Sequence, residues 1–277
     1  MYATIEWNMY KDLLHHHLRV PYLLHVEELR RPKSAAKTVV LIHGIGSSTA
    51  MWRALADDLP DDLRVVAVDL LGFGRSPKPD DGRYDAATQA TSLLATLIRY
   101  RVPLGAIFVG HSLGSLVAVE AARRFPYYPS ALVLISPPIY RPSKGKGVAT
   151  QREDILRGIY KILQLYPKNT ERALLIAKRL YAKRTKAGIS KEVNISSFLT
   201  SLNASIINQS TIDHIGDIRP PIRIISGSRD PLVISQTLDD IAKTSPTIHH
   251  RFVKRGGHNV VGIMHRATRD ELASLLQ

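Results

Sequence analysis

A serine with glycines two residues away on either side, Gly110-His111-Ser112-Leu113-Gly114, constrains this chain more than any other stretch of it. Ahead of it runs Ala106-Ile107-Phe108-Val109, the pattern of a short buried strand. Behind it runs Ser115 to Ala122, apolar with helical spacing. A strand that turns at once into a helix must carry its backbone past the helix, and glycine at 110 and 114 removes the two Cβ atoms that would collide. The apex residue, Ser112, is forced outward, with its hydroxyl at the tip of the sheet. The N–H groups of the helix's first turn face that hydroxyl, so negative charge is tolerated there. This is the geometry a serine nucleophile needs. The spacing alone also fits a tight turn that happens to hold a serine, so the inference depends on its flanks and on distant partners.

The flanks belong to a longer rhythm. Lys37 to Ile42 is an apolar run ending in His43-Gly44, and Leu63 to Asp69 is a second, followed by a loop rich in turn residues: Gly72, Gly74, Ser76, Pro77 and Pro79. Ala86 to Arg99 has helical spacing, and Ala131 to Ile135 reads as a further strand closed by Pro137-Pro138. Strands alternating with helices imply right-handed crossovers and a mainly parallel sheet. From about Ile139 to Gly216 the rhythm breaks into a helical, basic stretch, with helices expected at Arg152–Leu165, Glu171–Lys183 and Ile195–Ile207. Strands return at Ile222–Ser226 and about Ile248–Val253, and Asp270 to Leu276 begins or continues a terminal helix. With Val20 to Arg30 supplying the first two strands, the expectation is an eight-stranded, mostly parallel sheet flanked by helices. Residues 1–138 and 217–277 form this α/β core, and 139–216 form a helical cap inserted after strand six.

A chain of 277 residues suits one large α/β domain with such an insert. It has no cysteine, so disulfides and cysteine-ligated zinc are excluded. Met1 to Asp12 carries Glu6 and Asp12 and does not read as a signal peptide; no stretch reaches the roughly 18 apolar residues of a membrane span. A cytoplasmic location is expected. The net charge of +14 is concentrated: fourteen Lys and Arg lie between Arg141 and Lys191 against Glu153, Asp154 and Glu171. That points to an anionic substrate or a weak contact with an anionic surface, although a solvated helical face accounts for it equally. Tyr160, Tyr166 and Tyr181 are spaced like helix packing residues, not like a base-stacking platform, so no nucleic-acid partner is expected. Neighbours in His15-His16-His17 do not share a helix face, and no metal site is expected there.

A serine hydroxyl needs a base, and the base needs an acid to orient it. Gly227-Ser228-Arg229-Asp230-Pro231 follows the Ile222–Ser226 strand, which puts the Asp230 carboxylate at the same sheet edge as Ser112. Gly256-Gly257-His258 follows the last strand and puts an imidazole there too. The chain order serine, aspartate, histidine is the one found with this motif. A developing oxyanion would be met by two backbone N–H groups, that of Leu113 and, from the loop His43-Gly44-Ile45-Gly46, that of Ile45.

With these residues in view, the chain from about 20 to 277 resembles the α/β-hydrolase-fold superfamily. The resemblance is carried by His43-Gly44-Ile45-Gly46, Asp69 to Ser76, Gly110 to Gly114, Asp230 and Gly257-His258. Within it the chain is similar to the esterase, lactonase and carbon–carbon hydrolase group with a helical cap after strand six. The resemblance implies that Asp69 to Ser76 is a structural loop bordering the site. It separates the chain from relatives with an aspartate nucleophile, because Ser112 holds that place, and from cofactor-free haloperoxidases, which carry methionine where Leu113 stands. Ring-cleavage-product hydrolases show Gly-Pro-Gly where this chain has Ile45-Gly46-Ser47, which weighs against a carbon–carbon substrate. The expected activity is serine hydrolysis of a small or medium carboxylic ester through an acyl-enzyme, with no cofactor, in a monomer or homodimer. A carbon–carbon or lactone hydrolase of the same fold is the alternative, and a non-catalytic binding protein on this fold a more distant one.

Overall fold

The computed structural model describes residues 14–15, 18–140 and 194–276. Seven strands form one sheet: β1 (Val26–Arg30), β2 (Lys37–Ile42), β3 (Leu63–Val68), β4 (Ala106–His111), β5 (Pro129–Ile135), β6 (Ile222–Gly227) and β7 (Ile248–Val253). Their spatial order is β1-β3-β2-β4-β5-β6-β7, with only β1 antiparallel to its neighbour. The helices are α1 (Arg53–Asp57), α2 (Ala86–Arg99), α3 (Leu113–Arg124), α4 (Ile195–Ser201), α5 (Ser235–Ala242) and α6 (Ile263–Leu276).

The inner strands are unbroken apolar runs because both faces of the sheet are covered. Side chains alternate between the faces with the period of two that a strand imposes. Val40, Ile42, Val66, Phe108, Leu132 and Ile224 pack in one cluster with Leu93 and Leu97 of α2 and Leu116 and Val117 of α3. Val39, Leu41, Val65, Ile107, Val133 and Ile225 point the other way, against Trp52, Leu55 of α1 and Met264 and Leu272 of α6.

One expectation changes. Val20 to Arg30 supplies one strand, β1, not two, so the described sheet has seven strands and not eight. Pro21 has no N–H to give a ladder. The amides that follow it are taken by side chains: Leu24 N–H donates to Thr96 Oγ1 and His25 N–H to Ser76 Oγ, each at 2.8 Å. The insertion therefore falls between the fifth and sixth strands, at the same place in the chain. Asp270 to Leu276 continues a terminal helix that begins at Ile263, with Met264, Ala267, Thr268 and Leu272 on its buried face.

Helix α2 has the bounds its spacing predicts. The helices expected at Arg152–Leu165 and Glu171–Lys183 lie outside the described residues. The third, Ile195–Ile207, is present as α4 continuing into a π-helical turn over Leu202–Ile207. Phe198, Leu202 and Ile206 bury against the core, and the Ser197 and Ser205 hydroxyls donate to the Tyr84 hydroxyl and carbonyl at 3.0 and 2.6 Å. Among the described residues no helix is long and apolar enough to cross a membrane.

Gly114 tests how tightly β2 and α3 are pressed together. A Cβ there would stand 2.2 Å from the Ile42 carbonyl oxygen and 2.6 Å from that of His43. Alanine normally stabilises a helix over glycine by about 0.5–1 kcal/mol. Here the sign reverses: Gly114→Ala is expected to lower stability by about 3 kcal/mol in chemical denaturation. Gly257→Ala, whose Cβ would meet open space, stays within about 1 kcal/mol of the parent. Equal midpoints for the two variants would contradict the packing described.

Candidate active site

Ser112 occupies the turn between β4 and α3 with φ 51° and ψ −117°, a conformation costly for a residue with a side chain. The surroundings hold it there. Its amide donates to Ile135 O at 2.9 Å, and Ser115 donates to Ser112 O through its amide at 2.9 Å and to Gly110 O through its hydroxyl at 2.8 Å. The flanking glycines are required: a Cβ on Gly110 would lie 2.4 Å from Gly114 O.

Asp230 and His258 arrive on two loops stitched together through their backbones. The amides of Ser228 and Arg229 donate to Val253 O and Gly256 O at 3.0 and 2.8 Å, and the Arg255 amide donates to Ser228 Oγ at 2.8 Å. Gly227 runs so close to Gly256 that a Cβ would come within 2.3 Å of its carbonyl oxygen. The result is a buried pair: His258 Nδ1 lies 2.9 Å from Asp230 Oδ2 and 3.0 Å from Oδ1. Asp230 Oδ1 also accepts the Leu232 amide at 2.9 Å. Burial alone would raise the Asp230 pKa. The His258 ring and these hydrogen bonds outweigh it and hold the carboxyl below its ordinary value, so the group is ionised at neutral pH and Nδ1 carries the proton it accepts.

Ser112 meets this pair through its neighbour. The His111 ring lies 5.0 Å from the His258 ring, centre to centre, and its Nε2–H donates to the His258 carbonyl at 2.8 Å. Among the described hydrogen bonds none joins Ser112 Oγ to the His258 imidazole. Such contacts are often long before substrate binds. The loop after β2 closes over the same spot: a Cβ on Gly44 would lie 2.9 Å from His111 Nδ1 and 3.2 Å from Ser112 Cβ. Ile45 and Leu113, named from sequence as oxyanion donors, therefore flank Ser112 in the chain fold, and both are buried.

The segment Asp69 to Ser76 is held as a scaffold. Asp69 accepts the amides of Thr49 and Arg75 at 2.7 and 2.8 Å, and Gln89 clamps Leu71 by accepting its N–H and donating to its carbonyl, both at 2.9 Å. His43 ties the loop to the neighbouring one: Nδ1–H donates to Gly44 O at 2.7 Å and Nε2 accepts the Leu70 amide at 2.9 Å. His15 stacks on Tyr22 at 3.7 Å, while His16 and His17 lie outside the described residues.

Sequence reasoning missed two contributors. His111 reads as a spacer in the motif, yet it fastens the His258 loop. Ser136, at the end of β5 with φ 50°, is fully buried, and its hydroxyl faces the Asp230 carboxylate without reaching strict hydrogen-bond geometry. Its only trace in the sequence is its place after a strand and before Pro137-Pro138.

Comparison with known proteins agrees with this geometry. The family described as the alpha/beta hydrolase family matches residues 39–275. The chain is 36% identical over 126 residues to a probable lysophospholipase, BODYGUARD 2 of Arabidopsis thaliana, which covers 43% of this chain and 26% of that protein. It thus spans about a quarter of the length of the plant relatives it matches. With a putative carbamate hydrolase, RutD of Escherichia coli, it is 28% identical over 235 residues, 82% of this chain and 86% of the other. A solved esterase from Exiguobacterium antarcticum superposes with a TM-score of 0.73 over 91% of this chain and 95% of that one, at 16% identity. That likeness is one of fold.

The buried imidazoles give the fold a pH signature. Burial, with the His258 ring next in weight, pushes His111 down to about 3. Its Nε2–H is spent on a carbonyl and its Nδ1 has no hydrogen-bond partner, so protonation would bury a charge with no acceptor. Burial lowers His43 as well. Unfolded, both histidines bind a proton below about 6.5; folded, His111 does not until about 3. Stability is therefore full above 6.5 and is lost as pH falls from there toward 3, by up to ~1.4 kcal/mol per pH unit for His111. His111→Gln keeps a donor for the His258 carbonyl and removes the titration. Its Tm is expected to fall less steeply than the parent's between pH 6.5 and 4; identical slopes would refute the assignment.

Proposed function

The chain belongs to the alpha/beta hydrolase family, and from that premise we propose that it is a serine hydrolase of small or medium carboxylic esters, with Ser112 as nucleophile, His258 as base and acid, and Asp230 as the group that orients the imidazole. The observation that carries this reading is the fully buried His258–Asp230 pair, fastened through His111 to the turn that presents Ser112. The printed names of its relatives, a probable lysophospholipase and a putative carbamate hydrolase, are names of hydrolases and support the reaction class alone.

In this reading Ser112 Oγ attacks the ester carbonyl while its proton passes to His258 Nε2. Asp230 stabilises the imidazolium that forms, without taking the proton itself. The carbonyl oxygen, now an anion, is held by the backbone N–H groups of Ile45 and Leu113, the latter at the start of α3 where the helix favours negative charge. Collapse expels the alcohol, which leaves with the proton from His258, and an acyl group remains on Ser112. Water then attacks the acyl carbon, giving its proton to His258; the second tetrahedral adduct collapses, the proton returns to Ser112, and the carboxylic acid departs. No metal or organic cofactor takes part in these steps. In this reading the positive charge of the stretch from Arg141 to Lys191 favours esters that carry negative charge.

Ser112→Ala is expected to lower kcat for p-nitrophenyl acetate or butyrate by about 10⁶-fold while the far-UV spectrum stays unchanged, and Asp230→Asn to lower it by about 10⁴-fold through the wrong imidazole tautomer. A fluorophosphonate probe should label the parent on Ser112 and leave Ser112→Ala unlabelled. An unchanged rate in Ser112→Ala would remove Ser112 as the nucleophile. Turnover of an acyl-lactone or a vinylogous diketone with no turnover of any short ester would move the substrate class.

A further inference from the structure

An open cavity of about 300 Å³ is lined by His15, by residues 19–22, by Arg83 and Asp85 with the first half of α2, and by Arg124 at the end of α3. Arg124, on its wall, stands at the far end of the twelve-residue helix that begins beside Ser112. At 1.5 Å per residue this is about 17 Å of helix, so the cavity is separate from the site at the elbow.

Its charge is one-sided. Arg19, Arg83 and Arg124 line it, against Asp85 as the single carboxylate on the wall. Asp85 is already committed, since it caps α2 by accepting the Thr88 amide at 2.7 Å and pairs with Arg83 at 3.4 Å. Glu120, which meets Arg124 at 2.7 Å, is shared with Arg123 at 2.8 Å. Arg19 has no acidic partner among the described residues. Arg19 is exposed, on a segment held by local bonds: the Val20 amide donates to Leu14 O at 2.8 Å, His15 Nδ1 lies 2.7 Å from Val20 O, and the His15 ring stacks on Tyr22.

A second, independent observation concerns Ser92. It forms part of the cavity wall and is fully buried, yet its hydroxyl has no hydrogen-bond partner. A helical serine ordinarily satisfies itself on the carbonyl four residues back. For Ser92 that is Thr88 O, and the Thr91 hydroxyl already donates to it at 3.1 Å. A buried hydroxyl left in this state needs an acceptor. Guanidinium groups match the oxygens of carboxylates and phosphates, and a serine O–H adds one donor.

We propose that this cavity is a second binding site, for a small oxyanion (a carboxylate or a phosphate monoester), gathered by Arg19, Arg83 and Arg124 with the Ser92 hydroxyl as an added donor. The site is independent of the chemistry at Ser112, and its test reads binding and not turnover. Thermal unfolding is followed at constant ionic strength in chloride, in inorganic phosphate and in acetate. A saturable rise in Tm of about 2–5 °C in phosphate or in acetate over chloride is expected for the parent, and which anion gives it names the headgroup. Arg19→Ala and Ser92→Ala should each abolish the rise while ester hydrolysis stays within about twofold of the parent. Ser92→Ala removes no protein hydrogen bond and is expected to fold, so it stands as a test by itself. No saturable rise with either anion, or a rise that survives in both variants, overturns the proposal.

Discussion

Backbone contact against backbone governs the carboxyl edge of this sheet. Gly114 lies against the carbonyls of Ile42 and His43, Gly110 against Gly114, Gly227 against Gly256, and Gly44 against the His111 ring and Ser112. At each point a Cβ would stand under 3.0 Å from a neighbouring atom. Four chain segments, following β2, β4, β6 and β7, thereby converge within a space that ordinary side chains would prop open. This convergence brings the turn that presents Ser112 to the His258–Asp230 pair, which is itself joined by hydrogen bonds. A change at Gly114 would disturb the site and the core together, because the Ile42 carbonyl it meets belongs to the buried strand β2.

Charge is rationed in the space so made. The region around Ser112 holds three imidazoles, those of His43, His111 and His258, and two buried carboxylates, Asp230 against His258 and Asp69 at 3.8 Å from His43 Nε2. Two of the imidazoles, those of His43 and His111, are held against protonation by burial, which outweighs the opposing effect of the hydrogen bond each makes to a carbonyl. Taking an ion out of water without a partner costs several kcal/mol. Asp230 accordingly has both an imidazole and a backbone amide to answer it. His111 contributes no charge of its own: it acts as a neutral tether, and a cation there would oppose protonation of His258 5.0 Å away.

Much of this was legible in the sequence, for reasons that differ by element. Strands β2 to β6 announce themselves as apolar runs because both faces are buried, and α2 because one face is. Ser112, Asp230 and His258 were found because each follows a strand within a turn, where a parallel sheet presents side chains at one edge. What stayed hidden depends on pairing choices that no local pattern encodes. Residues 20–25 are extended enough to suggest a strand, but Thr96 and Ser76 claim their amides. Ser136 and His111 matter through contacts 94 and 147 positions along the chain, to Asp230 and His258, and no spacing rule reaches that far. The sequence leaves open where α6 begins, because Val261 and Ile263 are exposed and give its first turn no buried apolar mark.

Two serines with nearly the same strained backbone stand side by side at this edge, Ser112 after β4 and Ser136 after β5, with φ of 51° and 50°. Each is anchored alike. The Ser112 amide continues the ladder to Ile135 O at 2.9 Å, and the Ser136 amide continues it to Ile225 O at 2.8 Å, before either strand turns away. A left-handed residue costs on the order of 1–3 kcal/mol, and the hydrogen bond just before the turn, made inside a buried sheet, offsets it. The ladder thus acts as a ruler. By carrying the pairing one residue past each strand it sets where the chain bends, and so aims Ser112 outward from one strand and Ser136 toward Asp230 from the next. Strain at the two positions is a consequence of aligned strand ends, which is why the proposed nucleophile and the surroundings of its distant carboxylate are fixed by the same hydrogen-bonded register.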